Sequence, residues 1–183
     1  MFKSSETAND LFRRVHPVTS FELKPSIGPA EKIGFGTDAE LQTTDGSAAE
    51  MVLSVALQFA AQFESGWVVH VSVGNTLSYS LQHSNFDVGA SSLEPLRAAG
   101  RLKSVVVSNS VQLVALFEIL NLTLQGQPAL VLLENLTPVL IAAKPTSGPL
   151  SAAGGALPAV FVSLSRLLST EVAIALWVTE TGT

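Results

Sequence analysis

Gly46 and Ser47 stand ahead of a helical pattern of apolar residues that runs to Gln62, the outline of a loop that holds phosphate at a helix start. In such a loop glycine lets backbone N–H groups surround the phosphates, a lysine meets the β and γ phosphates, and a Ser or Thr hydroxyl holds magnesium. The lysine is missing. No Lys or Arg occurs between Lys32 and Arg97, so no shift of register supplies one. Ser47 with Glu50 three residues later also spells a capping box, in which two side chains satisfy the free N–H groups of a helix start. On the residues alone, a turn followed by a capped core helix is the favoured reading.

Other chemistry-bearing residues are sparse. Glu134 closes the apolar run that begins at Ala129, and one carboxylate there could hold magnesium, although a carboxylate at a strand end is more often a solvated terminus or an ion-pair partner. His16, His70 and His83 are scattered, with no pair at ligand spacing on one face, and His70 is expected to pack inside a strand. No serine has a G-x-S-x-G setting, and the absence of cysteine removes disulfides and zinc thiolates. Arg97, Arg101 and Lys103 form a small basic concentration, beside Arg13 and Arg14 near the N-terminus. Lys144 and Arg166 stand apart from it. Each cation that met a DNA phosphate would add about 0.9 to the salt slope of binding. The net charge of −5 argues against strong nucleic-acid binding by the chain alone, so any DNA contact is local or shared with a partner.

The elements that would position these residues follow from the pattern of apolarity. The 183 residues fit one domain, and an apolar fraction of 47% with 14% charged residues favours an obligate complex subunit over a free monomer. The N-terminus has no apolar core of the signal-peptide kind, no apolar run reaches membrane-spanning length, and an intracellular protein is expected. Sequons at Asn121 and Asn135 fall in segments expected to be buried. Residues 1–32, with Pro17, Pro25 and Pro29, read as an irregular arm with a short helix at Asn9 to Val15. From Ile33 onward short β-branched runs alternate with helical ones, which predicts an α/β domain over 33–183 with a mainly parallel sheet flanked by helices. Strands are predicted at 67–73, 102–108, 129–133 and 172–178. Helices are predicted at 47–62, around 111–124 and at 157–168. Pro138 is expected to end regular structure, and residues 142–156 read as a mobile loop.

The order of these features resembles the core of the RecA-type recombinases and their eukaryotic paralogues over roughly residues 33–180. Gly36 to Leu41 is similar to the strand ahead of the family's phosphate loop, and Ser47 to Gln62 to the helix after it. Trp67 to Gly74, with Asn75, Thr76 and Leu77, looks like the next strand and its Gly-Thr ending. Ala129 to Thr137 looks like the magnesium-coordinating (Walker B) strand. Residues 142–156 fall where the family has its first DNA-facing loop, and Val172 to Thr179 where a strand leads to the second.

The departures from the family are equally informative. Besides the missing lysine, the family's catalytic glutamate corresponds to Val73 and its Walker B aspartate to Glu134. Hydrolysis needs neutralisation of the γ phosphate and an oriented water, and neither has a visible agent. No cofactor or enzyme activity is expected. Degenerate ATP sites of this kind look most like the RecA-like subunits of the fungal Shu complex. That resemblance implies a nuclear heterodimer with a RecA-like partner, DNA binding through loops, and promotion of recombinase loading in homologous recombination repair. RecA-like structural subunits of the Elongator assembly, which acts in tRNA modification, are the alternative. DNA-contact candidates are Lys144, Arg166, Arg97, Arg101 and Lys103.

Overall fold

The protein is described by a computed structural model over residues 20–24, 29–44, 48–74, 98–124, 126–142 and 157–181. Its elements in chain order are β1 (Ser20–Leu23), β2 (Glu31–Gly34), β3 (Asp38–Thr44), α1 (Ala48–Gln62), β4 (Trp67–Ser72), β5 (Leu102–Val106), α2 (Ser110–Thr123), β6 (Ala129–Glu134), α3 (Thr137–Ala142), α4 (Leu157–Leu168) and β7 (Ala173–Thr181). Strands β3 to β7 form one sheet in the order β3-β7-β6-β4-β5, with every neighbouring pair parallel. The domain is therefore α/β with a parallel sheet flanked by helices, consistent with a RecA-like core.

The middle of the sheet is explained by its composition. All six residues of β6 are buried, as a strand covered on both faces requires. Alternate residues serve opposite layers. Val68, Leu130, Leu132, Ile174, Leu176 and Val178 meet Val52, Val55 and Phe59 of α1 on one face. On the other, Val69, Val71, Val131, Leu133, Ala173 and Ala175 meet Leu113 and Phe117 of α2 and Val160, Leu164 and Leu167 of α4. Helix α2 starts where Asn109 accepts a hydrogen bond from the Gln112 backbone at 2.9 Å, while the Gln112 amide oxygen accepts from the Ser108 backbone at 2.7 Å. The connection after β3 crosses one face through α1, and the connection after β6 crosses the other through α3 and α4. The carboxyl ends of the strands thus form the end at which open α/β sheets take ligands.

Several sequence expectations are corrected. Strand β1 lies within the segment read as an irregular arm, and the boundary expected at residue 32 falls inside β2. Its antiparallel partnership with β2 pairs Phe21 with Ile33, and Phe21 is wholly buried against Phe59, with ring centroids 5.4 Å apart. Two glutamines of α1 fix β1 further. The Gln62 side-chain amide receives Glu22 N–H at 3.0 Å and donates to Glu22 C=O at 2.7 Å. Gln58 does the same for Lys24, at 2.8 and 3.1 Å. Four residues of helix rise about 6 Å, close to the nearly 7 Å spanned by two residues of strand, so the two pairs stay in step.

Pro138 does not end structure after β6. It is the second residue of α3, within the first turn, where a missing N–H costs no intrahelical bond. The predicted strand at 102–108 is shorter, stopping at Val106, and the last strand extends to Thr181. The sequon asparagines, Asn121 and Asn135, are half-buried rather than fully buried, and Asn135 adopts a left-handed conformation with φ 49°. No helix among the described residues is long and apolar enough to cross a membrane. The short helix expected at 9–15 lies outside the described residues, and of the loop expected at 142–156 Ala142 ends α3 while 143–156 lie outside them.

Candidate functional site

The carboxyl end of the sheet brings His70, Ser72, Ser104 and Glu134 together. Parallel register sets His70 beside Ser104 on one side and Leu132 on the other, and Ser72 beside Glu134. Even-numbered residues of β4 and β6 point to the α1 face, so the four polar side chains share it. His70 is completely buried and Glu134 is 2% exposed. Nε2 of His70 lies 2.6 Å from Glu134 Oε2, and Nδ1 lies 3.2 Å from Ser104 Oγ. An ionised carboxylate only accepts, so in the neutral ring Nε2 carries the shared proton and Nδ1 accepts from the Ser104 hydroxyl. Ser72 donates its hydroxyl to Gly74 C=O.

This arrangement differs from the solvated strand end considered for Glu134. Its carboxylate is sunk beside the core and hydrogen-bonded to an imidazole, so it is a partnered carboxylate and not a solvated one. A carboxylate held this way offers less to a magnesium ion than a free one, because the cation would compete with a directed, buried hydrogen bond. Among the described residues no group of three or more His, Asp or Glu side chains is placed to hold a metal. Val73 is a partly exposed apolar side chain.

On the opposite face of the sheet, a depression of about 390 Å³ lies between β3, β7 and α3, lined in part by Asp38, Glu40, Leu136, Leu140 and Trp177. Trp177 Nε1 donates to Asp38 at 3.2 Å and Thr179 Oγ1 to Glu40 at 2.9 Å. Both charged residues of its wall are acidic. Such a wall repels phosphate rather than gathering it.

Among the described residues, the basic candidates Arg101, Lys103 and Arg166 each have a protein partner of their own. Arg101 is a structural clasp, donating from Nε to Gly66 C=O at 2.9 Å and from a terminal nitrogen to Phe63 C=O at 2.6 Å, where α1 turns into β4. Lys103 holds its ammonium 5.9 Å from the Trp67 ring centroid. Arg166 pairs with Glu118 across the α2–α4 contact at 3.3 Å. Gly46, Ser47, Arg97 and Lys144 lie outside the described residues. The pair of His70 and Glu134 was not read from sequence. The only sequence signal for it is a histidine inside a β-branched run, which becomes meaningful once β4 and β6 are known to be neighbours. No family model matches the chain, and no curated protein matches it.

Proposed function

We propose that the chain is a RecA-like subunit without ATPase activity that serves as a scaffold in a recombination-mediator complex, binding DNA jointly with a RecA-like partner and promoting recombinase loading. The observation that carries this reading is the buried contact between His70 and Glu134, at the position where the resembling family keeps its magnesium-binding carboxylate. The absence of Lys and Arg from residue 33 to residue 96 supports it, since no cation of that stretch could answer a triphosphate. The acidic net charge and the internal engagement of Arg101, Lys103 and Arg166 support weak DNA binding by the chain alone.

The test is to purify the chain with its co-purifying subunits and to compare binding of single-stranded DNA and tRNA at physiological salt. Preference for DNA together with a RecA-like partner agrees with the proposal. Preference for tRNA would move the chain to an Elongator-type assembly. Tight DNA binding by the isolated chain would overturn the shared-interface part of the reading.

A further inference from the structure

Glu134, His70 and Ser104 stand in line across the neighbouring strands β6, β4 and β5, so the buried contact continues outward to a hydroxyl. His70 Nε2 lies 2.6 Å from Glu134 Oε2, and His70 Nδ1 lies 3.2 Å from Ser104 Oγ. Because Nε2 turns the ring proton toward the carboxylate, Nδ1 keeps its lone pair for the Ser104 hydroxyl. A hydroxyl set on a base that a third group orients is the arrangement of an activated nucleophile. Burial is graded in the order such chemistry needs. Glu134 and His70 are closed off from water, whereas Ser104 is exposed. Helix α1 packs on β3, β7, β6 and β4, and Ser104 lies beyond them on the edge strand β5.

From this geometry we propose that Ser104 is a nucleophile for acyl transfer, acting on short-chain carboxylic esters at the outer edge of β5. Its Oγ attacks the ester carbonyl carbon and passes its proton to His70 Nδ1. The tetrahedral intermediate then expels the alcohol, which leaves with that proton, and the acyl group stays on Ser104. Water, deprotonated by the same nitrogen, releases the acid and restores the hydroxyl. Glu134 stays ionised throughout and steadies the imidazolium that forms in each half, a positioning role. The backbone supplies a donor for the oxyanion. Val68 N–H bonds to Arg101 C=O and Val107 N–H to Ser72 C=O, so the odd-numbered residues of β5 turn their peptide groups toward β4. The N–H groups of Ser104 and Val106 therefore point to the outer edge, where no strand of the described residues pairs with them. Val106 shares the face of Ser104 and is 47% exposed, an apolar surface beside the hydroxyl that suits a short uncharged acyl chain. None of this chemistry calls for a phosphate-loop lysine or magnesium, so it is compatible with a chain that does not hydrolyse ATP.

The experiment treats the full chain with a fluorophosphonate, on whose phosphorus Ser104 Oγ replaces fluoride, and locates the adduct by peptide mass mapping. The folded chain is expected to carry one adduct, at Ser104, formed about tenfold or more faster than in urea-unfolded chain. Ser104→Ala removes an exposed hydroxyl and is expected to stay folded by circular dichroism while losing both the adduct and the hydrolysis of p-nitrophenyl acetate. His70→Gln is expected to slow labelling by about tenfold or more. No adduct, an adduct spread over several serines, or one that forms equally fast in urea overturns the proposal. So does a folded His70→Gln chain that labels at the unaltered rate. Neither measurement involves nucleic acid or a partner subunit, so this proposal and the scaffold reading fail separately.

Discussion

Nε2 of His70 and Oε2 of Glu134 lie 2.6 Å apart between neighbouring strands, joining residues separated by 64 positions in a site from which water is excluded. Removing one partner leaves the other buried without its main ligand. Glu134→Ala is therefore expected to destabilise the fold by about 1 to 3 kcal/mol, whereas replacing both side chains with leucine is expected to cost less than the two single changes added together. Urea denaturation of the two single variants and the double variant measures the coupling. Additive costs would show that the contact contributes no coupling.

The same contact bears on nucleotide chemistry. The purified chain is expected to show no magnesium-dependent ATP turnover above background, and Glu134→Gln is expected to leave that background unchanged. Turnover that disappears with Glu134→Gln, in a variant still folded by circular dichroism, would restore an enzyme reading.

Arg101 separates a structural from a DNA-binding role. Its two hydrogen bonds to Gly66 and Phe63 fasten the turn between α1 and β4, so Arg101→Ala is expected to lower stability by about 1.5 to 3 kcal/mol. The salt slope of DNA binding by the assembled complex is expected to stay the same. A slope reduced by about one unit with unchanged stability would assign the guanidinium to a phosphate instead.

Gly66 is required for a close approach rather than for a special backbone angle. A Cβ at this position would lie 2.7 Å from Phe59 Cε1 and 2.9 Å from Phe63 Cβ. Gly66→Ala is expected to cost about 1 to 3 kcal/mol by overpacking. Thermal melting of Gly66→Ala with Phe59→Leu against each single variant tests this, since removing the ring atom that the new Cβ would meet should make the double change cost less than the two single changes added together if crowding is the cause.

Strands β4 and β6 and helices α1, α2 and α4 were legible because long apolar patterns carry their own period, and burial on both sides of a parallel sheet leaves continuous apolar runs. What escaped had other causes. Strand β1 has four residues and close proline neighbours, and its order comes from Phe21 docking on a helix that begins 27 positions later in the chain. Pro138 reads as a stop signal, yet the same ring is tolerated in the first turn of a helix, and only the fold tells the two apart. Glu134 reads as a solvated strand end or an ion-pair partner, and only the strand order, which sets β4 beside β6, puts it next to His70. The clasp made by Arg101 is likewise invisible without the turn that it fastens, since backbone carbonyls leave no trace in composition.

The glutamine pairs on α1 have a consequence for the sheet edge they touch. A bare strand edge offers N–H and C=O groups on which another chain can template itself, the usual start of runaway strand-on-strand growth. Gln58 and Gln62 occupy the N–H and C=O of Lys24 and Glu22 with their own amides, so a helix stands in for the missing neighbouring strand. Neutral side chains here act as gatekeepers against aggregation, a task that proteins more often give to lysine or proline.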